Sequence, residues 1–363
     1  MCLDHTISIA SAQDANDFET RFVATLNSGA MCLMTSIGHR AGLFDAMAET
    51  GPATSDTIAT TAGLQERYVR EWLGAMVTGR FVAFDAQTRT YHLPAEHAAC
   101  LTRASTPGNL ATYAQYIPLL GQVEDELLGC FANGGGVPYA RYPRFHEVMA
   151  EDSGQTVLPA LIDDILPLAP GLVERLENGI EVLDVGCGRG RAINLLAKRF
   201  ANSSFLGIDL STEAVRYAQY EADAQGLTNA RFLARDLSSF DHDAEVERFD
   251  LVLTFDAIHD QADPARVLRG IHRTLKKDGV YLAQDIKGSS QVEGNVEHPI
   301  GPLLYTMSTM HCMTVSLAQG GAGLGAMWGR ELAESMFKDA GFRTVAVHEL
   351  DHDIQNNYYV CLV

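Results

Sequence analysis

The sequence of 363 residues predicts an α/β fold with a parallel sheet, preceded by a smaller, mainly α-helical domain. Residues 181–190, EVLDVGCGRG, indicate a buried strand and a turn with three glycines in five positions, and residues 191–200 continue with apolar residues at helical spacing. Nearer the N-terminus, two helix-like segments, 54–62 and 65–77, precede two short alternating segments that are typical of a hairpin.

A glycine turn between a strand and a helix indicates a ligand-binding crevice. Because they lack a Cβ, Gly186, Gly188 and Gly190 let the backbone turn sharply and let a ligand lie against it. The following helix presents unpaired N–H groups to that crevice. A dinucleotide-binding turn would carry its third glycine at the position of Arg191, so the spacing favours a smaller adenosine cofactor.

Further strand-like segments follow, and acidic residues stand at their ends. Residues 205–209 end in Asp209, which can accept hydrogen bonds from both hydroxyls of a ribose. Residues 230–237 contain Asp236, which is suited to hold an adenine amino group, and residues 249–255 lead into an Asp-Ala-Ile-His-Asp sequence. A fifth strand is predicted later in the chain, at 279–286.

Taken in this order, these elements resemble the class I S-adenosylmethionine-dependent methyltransferases over roughly the C-terminal half of the chain. The resemblance implies a Rossmann-like, seven-stranded methyltransferase domain, with S-adenosylmethionine as cofactor and S-adenosylhomocysteine as product. The cofactor-binding residues that follow from it are Asp184, Gly186, Cys187, Gly188, Gly190, Asp209, Leu210, Asp236, Leu237, Phe255 and Asp256.

The N-terminal pattern of helix, turn, helix and hairpin resembles a winged-helix module, a fold that many DNA-binding regulators use. Residues 1–110 contain seven arginines, no lysine and eleven acidic residues, whereas a phosphate-binding surface is basic. The formal net charge of −19 also argues against an anionic partner. Nucleic acid is therefore not an expected partner, and a cofactor-sensing DNA-binding regulator is kept only as an alternative.

Residues 16–34 carry an apolar stripe at helical spacing, which favours either dimerisation or packing within the domain. A winged helix ahead of a methyltransferase domain resembles the small-molecule O-methyltransferases, which dimerise through that module. The resemblance spans nearly the whole chain and implies a homodimer that acts on a small molecule. The expected divisions are a winged-helix domain at 1–109, a helical linker and substrate clamp at 110–172, and a methyltransferase domain at 173–363.

Two segments are candidates for binding the methyl acceptor. Residues 134–146 combine three glycines with prolines and aromatic residues, which suits a clamp over the ligands or a plain interdomain linker. Residues 287–328 are rich in methionine and suit an adaptable lid or a helix buried against the N-terminal domain. The predicted substrate-binding residues are Tyr139, Tyr142, Arg144, Tyr305, Met310 and His311.

His259 is the predicted catalytic residue, because it lies just beyond the fourth strand. The resemblance implies a catalytic histidine followed by aspartate here, and His259-Asp260 matches, although the tryptophans that usually flank the pair are absent. A hydroxyl acceptor needs a base, and the rate would then rise through the ordinary histidine pKa of ~6.5. Two alternatives stay open: a histidine that only shapes the pocket, and a sulfur acceptor that needs no base.

Composition excludes several other classes of protein. Seven scattered cysteines without a C-x-x-C pair argue against a disulfide framework or a structural zinc site. His298, His311 and Cys312 do not form a close ligand pair, so no metal is expected. No apolar run approaches the ~20 residues that a membrane span needs. Residues 1–5 do not resemble a signal peptide, and a cytoplasmic location is expected.

Overall fold

The computed structural model describes residues 15–363, which divide into two compact units, the first ending at Gly121 and the second beginning at Gln122. The division falls inside the predicted segment 110–172, because residues 110–121 pack against the long first helix of the first unit. The subdivision into clamp and lid stays a prediction. Residues 1–5, on which the expectation about a signal peptide rested, lie outside the described residues.

The first unit has the predicted order of helix, turn, helix and antiparallel hairpin. Its helices are α1 (Ala15–Arg40), α2 (Leu43–Thr50), α3 (Ser55–Ala62), α4 (Glu66–Thr78), α5 (Ala95–Leu101) and α6 (Tyr116–Gly121), and its strands are β1 (Ala83–Asp85) and β2 (Thr90–His92). The Thr54 hydroxyl caps α3 by accepting a hydrogen bond from the N–H of Thr57, and Gly63 ends that helix in a left-handed conformation.

The apolar face of α4 forms the core of this unit. Trp72, Leu73 and Met76 are at most 4% exposed, because they lie on the side of α4 that faces α1, α2 and α3. The indole N–H of Trp72 donates to the carbonyl of Met34 at 2.8 Å, and the Trp72 ring packs edge-on against Phe44 at 5.3 Å. The winged-helix prediction is therefore confirmed at the level of the fold.

The first half of α1 is exposed on all sides. Every residue from 17 to 30 is exposed, including Phe18, Phe22 and Leu26 at 58%, 53% and 60%. Packing inside the described part of the chain therefore leaves uncovered the apolar stripe from residue 17 to residue 30, whereas Met31 and Met34 pack partly against the core. Large apolar side chains grouped on one exposed helix indicate an interaction surface.

Helices in the second unit precede the sheet and alternate with its strands. They are α7 (Glu124–Asn133), α8 (Phe145–Ser153), α9 (Val157–Ala160), α10 (Leu172–Asn178), α11 (Arg191–Arg199), α12 (Thr212–Ala224), α13 (Phe240–Asp243), α14 (Pro264–Thr274), α15 (Gly301–Met307), α16 (Met313–Ala318) and α17 (Gly329–Asp339). A π-helical turn, Ser308–Cys312, joins α15 to α16, so the methionine-rich segment is one nearly continuous helix.

The sheet has seven strands, which confirms the predicted fold class. The strands are β3 (Glu181–Val185), β4 (Ser204–Asp209), β5 (Ala230–Ala234), β6 (Phe249–Phe255), β7 (Leu275–Ile286), β8 (Thr344–His348) and β9 (Asn356–Leu362). Their order is β5-β4-β3-β6-β7-β9-β8; β3 to β7 are parallel, and β9 is antiparallel to both β7 and β8. All five strands that the sequence predicts are present.

Alternate residues of the central strands enter two separate cores, one on each face of the sheet. On β3, Val182 belongs to one apolar cluster and Leu183 to the other, and Leu251 and Val252 divide in the same way on β6. Such continuous apolar strands are typical of a parallel sheet covered on both faces. The chain order reverses between β3 and β6, so a crevice is expected beyond their carboxyl ends.

Among the described residues, no single helix has the length and apolar composition of a membrane span. One sharply bent pair, Phe145–Leu168 with Leu172–Asn178, meets both criteria together.

Candidate active site

The glycine turn between β3 and α11 lies at this switch point, beside an open cleft. The N–H groups of Gly186 and Cys187 both donate to the carbonyl of Ile208, at 2.8 and 3.1 Å, and so hold the turn against β4. The cleft has about 560 Å³ of atom-free space, which includes space open to solvent. Its lining comes from the turn, from α8, α9 and α11, and from the end of β6: His146, Met149, Ala150, Ser153, Val157, Leu158, Asp184, Gly186, Cys187, Gly188, Arg189, Arg191, Ala192 and Phe255.

Two of the predicted cofactor-binding glycines have different surroundings. Gly188 has a φ of +51°, and a Cβ built there would meet no atom within 4 Å, so open space faces this position. Gly190 lies against Phe232 and Ala218, where a Cβ would come within 2.5 and 2.6 Å. Gly188 therefore borders the cleft, whereas Gly190 allows the start of α11 to pack closely on β5 and α12.

The predicted ribose and adenine residues lie at the carboxyl ends of β4 and β5. The Asp209 carboxylate accepts hydrogen bonds from the N–H groups of Gly188 and Ser211, each at 2.8 Å. Asp236 is exposed and accepts from the N–H of Ser238 at 2.8 Å. Leu210 is exposed and Leu237 is buried. Asp209 thus contacts the glycine turn directly. Ligand contacts of Asp209, Leu210, Asp236 and Leu237 stay predictions.

Asp184 is a buried acid at the base of the cleft. It is 1% exposed, and its Oδ1 has no hydrogen-bond partner among the described residues. Burial, reinforced by the nearby Asp209 carboxylate, raises the pKa of Asp184 to about 8. The side chain is therefore mostly protonated at neutral pH, and a cationic ligand would stabilise its charged form. Burial also raises the pKa of the Cys187 thiol, which keeps it protonated.

The ends of β6 and β7 bring His259 and Asp285 together. His259 is 3% exposed, and its Nδ1 lies 2.7 Å from Oδ1 of Asp285. The same oxygen accepts hydrogen bonds from the indole N–H of Trp328 at 2.9 Å and from the N–H of Ile286 at 2.8 Å. Because a carboxylate accepts, Nδ1 of His259 donates, and Nε2 is the nitrogen left for proton transfer.

Charge around His259 favours its protonated form. Burial lowers the pKa of His259, but the Asp285 carboxylate and Cys312 together have the larger effect and leave the pKa well above its ordinary value. The protonated form of the imidazole is therefore favoured in the absence of ligands. A cation that arrives beside it would lower this pKa again and free Nε2 to accept a proton.

Two further acids flank His259. Asp256 has a φ of +49°, which is strained for a residue with a Cβ, and its Oδ2 accepts from the Gln284 amide at 3.1 Å. Desolvation, followed by the charge of Asp285, raises the pKa of Asp256 well above its ordinary value. Desolvation also raises the pKa of Asp260 to about 6, and its Oδ2 lies 3.5 Å from the hydroxyl oxygen of Tyr139.

Three predicted substrate residues meet in an aromatic cluster, which consists of Tyr139, Tyr142, Phe145, His146 and His311. His311 stacks on Phe145 with ring centroids 3.6 Å apart, and the rings of Tyr139 and Tyr142 lie edge-on to it at 5.0 and 4.8 Å. His146 stacks on Tyr139 at 5.4 Å. Burial lowers the pKa of His311 well below its ordinary value, so the ring is neutral.

The clamp segment lies directly on the helix that carries His311. The N–H of Val137 donates to the Thr314 hydroxyl at 2.8 Å, and the Tyr142 hydroxyl donates to the carbonyl of Met310. At Gly136 a Cβ would come within 1.9 Å of the Thr314 carbonyl oxygen. This glycine therefore permits close approach of the two backbones.

The other predicted substrate residues have partners within the protein. Arg144 forms an ion pair with Glu147 at 2.6 Å. The Tyr305 hydroxyl accepts a hydrogen bond from Asn295 at 3.1 Å, and Met310 contributes its carbonyl to Tyr142. Their roles in acceptor binding stay predictions. Sequence reasoning did not single out Asp285, Phe145 or His146, although each lies in a segment that it identified.

On α4, the helix that would read DNA in a winged-helix regulator, Arg67 and Arg70 are paired with acidic residues of the same helix. Arg67 pairs with Glu71 and Arg70 pairs with Glu66, each one helical turn away. These pairs neutralise the exposed face of the helix that would enter a groove.

Comparisons with known proteins agree with both units. Residues 29–103 match the family model of an Rv2258c-like winged HTH domain, and residues 176–341 match that of a methyltransferase domain. A ubiquinone biosynthesis O-methyltransferase from Actinobacillus pleuropneumoniae is 31% identical over 125 residues, which are 33% of this chain and 53% of that protein. An (S)-coclaurine N-methyltransferase from Papaver somniferum is 27% identical over 31% of each chain. The chain thus spans about half or less of the curated relatives it matches.

Two solved structures share the fold over nearly the whole chain. Human N-acetylserotonin methyltransferase, in complex with SAM, is 17% identical and has a TM-score of 0.69 over 98% of this chain and 99% of its own. The mitomycin 7-O-methyltransferase MmcR is also 17% identical, with a TM-score of 0.68 over 97% of this chain and 100% of its own. The chain therefore combines an Rv2258c-like winged helix-turn-helix domain with a methyltransferase domain, in the fold of these two-domain methyltransferases.

Proposed function

We propose that the protein transfers a methyl group from S-adenosylmethionine to a hydroxyl group of a small molecule. The observation that carries the proposal is the His259–Asp285 pair, which lies at the carboxyl ends of β6 and β7, on the same edge of the sheet as the glycine turn. The O-methyltransferases among the similar proteins support the same reaction.

The cleft has the features that S-adenosylmethionine requires. Gly188 leaves open space against the backbone, and Asp184 offers an unpartnered oxygen to the cationic amino-acid end of the cofactor. Asp209 and Asp236 stand where the resemblance places the ribose and adenine contacts. Phe255 lines the cleft near the site of transfer.

His259 would act as the base for the acceptor hydroxyl. The cofactor supplies a methyl group bound to a positively charged sulfur, which leaves as a neutral thioether. When the acceptor oxygen bonds to the methyl carbon, its proton passes to Nε2 of His259, and the Asp285 carboxylate stabilises the imidazolium that forms. The residues otherwise position the reactants and exclude water.

The aromatic cluster would bind the acceptor. Tyr142, Phe145 and His311 are buried, whereas Tyr139 and His146 are half-buried and would offer a planar organic molecule an apolar surface beside Asp260. A sulfur acceptor is the alternative outcome, since it would use the same surface without needing a base.

Calorimetric titration of the full-length protein with S-adenosylmethionine and S-adenosylhomocysteine tests the cofactor assignment. We expect one binding site per chain for both compounds. The absence of binding for both would contradict the proposal.

Cofactor binding is expected to release a proton through Asp184. Because the pKa of Asp184 is raised to about 8, the free protein holds this proton at pH 7, and a bound cation expels it. Affinity should therefore rise as the pH increases from 6 towards 8 and level off above that. Titrations at pH 7 in buffers of different ionisation enthalpy measure the released proton. Asp184→Asn should abolish the release, and an unchanged release in that variant would exclude Asp184 as its source.

We further propose that the exposed half of α1 pairs with the same helix of a second copy to form a homodimer. The stripe of Phe18, Phe22 and Leu26 is self-complementary under a two-fold axis, as symmetric dimers require. Tertiary or subunit packing of the apolar face, rather than helix propensity, provides most of the stability of such a long helix.

The double substitution Phe22→Glu/Leu26→Glu is expected to dissociate this dimer. Because each substitution is present in both copies, four apolar side chains are lost from the interface; at about 1.5–3 kcal/mol each, association should weaken by roughly 10⁴-fold or more. Light scattering should give twice the chain mass of 39.4 kDa for the wild type and one chain mass for the variant. Tyr220→Glu, at a tyrosine 68% exposed in the second unit, serves as the control and should stay dimeric. A monomeric wild type at high micromolar concentration would count against the dimer.

A further inference from the structure

Asp256, His259 and Asp285 form a three-residue cluster whose side-chain oxygens and nitrogen all lie within 4.8 Å of one another. Two ligands that each bind a metal ion at about 2.1 Å are at most about 4.2 Å apart, so small side-chain movements would bring all three atoms onto one ion. Asp285 lies at the end of β7, and Asp256 and His259 lie in the loop that directly follows the neighbouring strand β6.

The hydrogen bond between His259 and Asp285 does not account for the whole cluster. It uses Oδ1 of Asp285, whereas Oδ2 of the same side chain, 2% exposed, has no partner among the described residues. Oδ1 of Asp256 is also buried without a partner. Unpaired buried carboxylate oxygens are costly, so each calls for a ligand or a cation.

Among the described residues, neither Asp256 nor Asp285 forms an ion pair with a lysine or arginine; His259 is the one basic side chain that contacts them. Because the pKa values of Asp256 and His259 are both raised, a divalent ion would displace their protons when it binds.

The outer contacts are arranged as in a metal site. The Gln284 amide holds Oδ2 of Asp256, and the Trp328 indole holds Oδ1 of Asp285, so in each carboxylate one oxygen is fixed and the other is free. We propose that Asp256, Asp285 and His259 bind a divalent transition-metal ion of the zinc class. Two carboxylates with one imidazole suit zinc or manganese better than magnesium, which prefers oxygen ligands alone.

Binding of the ion would have a consequence for catalysis, and this consequence rests on the proposed function. An ion on Nδ1 of His259 displaces the hydrogen bond to Asp285 and confines the imidazole proton to Nε2, so the ring can no longer accept the acceptor's proton. Metal binding and O-methylation would therefore exclude each other, and the ion would act as an inhibitor.

Calorimetric titration of the cofactor-free, full-length protein with Zn²⁺, Mn²⁺ and Mg²⁺ tests the site without depending on methyl transfer. We expect one Zn²⁺ per chain, bound more tightly than Mg²⁺. Asp256→Asn should weaken Zn²⁺ binding by at least ~10–100-fold. Asp250→Asn is the matched control, because Asp250 lies at the opposite end of the same strand and pairs with Lys276.

Co²⁺ provides a second measurement that needs no variant. Its visible absorption in the wild type should report one nitrogen ligand among oxygen ligands. Failure to bind one Zn²⁺ per chain would overturn the proposal, as would equal Zn²⁺ affinity in Asp256→Asn and the wild type, or a Co²⁺ spectrum without a nitrogen ligand. Binding of S-adenosylmethionine is measured in a separate titration. A failure of the proposed function can therefore be distinguished from a failure of the metal site.

Discussion

Replacing His259 with alanine is expected to lower the rate of O-methylation by ~10²–10⁴-fold, the usual loss when a positioned base is removed. Affinity for S-adenosylmethionine should change little, because the glycine turn and Asp209 are untouched. Single-turnover rates with an identified hydroxyl acceptor, together with calorimetry, measure the two effects separately. His242→Ala removes an exposed histidine on α13 and serves as the control, with an unchanged rate.

The pH dependence of the wild type adds a second test of His259. The Asp285 carboxylate and Cys312 outweigh burial and raise the pKa of His259, so the base form appears only above the ordinary value of 6.5. The value of kcat/KM, which reports the pKa of the free enzyme, should therefore rise with pH through a window above 6.5, higher than the sequence alone leads one to expect. A rate in His259→Ala within threefold of the wild type, with a flat pH profile, would remove His259 from catalysis and favour a sulfur acceptor.

Replacing Gly188 with leucine is expected to abolish measurable binding of S-adenosylmethionine. The new side chain would project into the open space beside the turn, where the ligand must approach the backbone. The positive φ adds backbone strain of its own, about 1–3 kcal/mol.

The variant Gly226→Leu separates the loss of space for the ligand from the backbone strain. Gly226 also has a positive φ and open space around it, but it lies in the turn after α12, outside the lining of the cleft. It should lose a similar amount of thermal stability and keep the wild-type affinity in calorimetry. Equal affinity in Gly188→Leu and the wild type would exclude the turn as the cofactor site.

Local patterns in the sequence were enough to predict most of the fold. The five parallel strands and the helix–turn–helix with its hairpin all have clear periodicity and turn residues, and all are present. The antiparallel strands β8 and β9 followed only from the family resemblance, because their order in the sheet depends on long-range pairing. The π-helical turn at Ser308–Cys312 also has no local signal, although it places His311 in the aromatic cluster.

The site was less predictable than the fold, because its residues are distant in the chain. Asp285 lies 26 positions after His259, and only the pairing of β6 with β7 brings the two side chains together. Arg144 was predicted from its charge alone, and sequence does not reveal that Glu147 already neutralises it. Residue types and strand ends can thus be predicted, whereas partners and pKa shifts require the structure.

The atom that receives the methyl group is the most direct test of the proposed O-methylation. Full-length protein should be incubated with isotope-labelled S-adenosylmethionine and the small-molecule fraction of a cell extract, and labelled products should be identified by mass spectrometry and NMR. We expect a labelled small molecule whose new methyl group is bonded to oxygen, formed by the wild type and by His242→Ala but far more slowly by His259→Ala. A methyl group on sulfur or nitrogen, formed equally fast without His259, would contradict the proposed O-methylation.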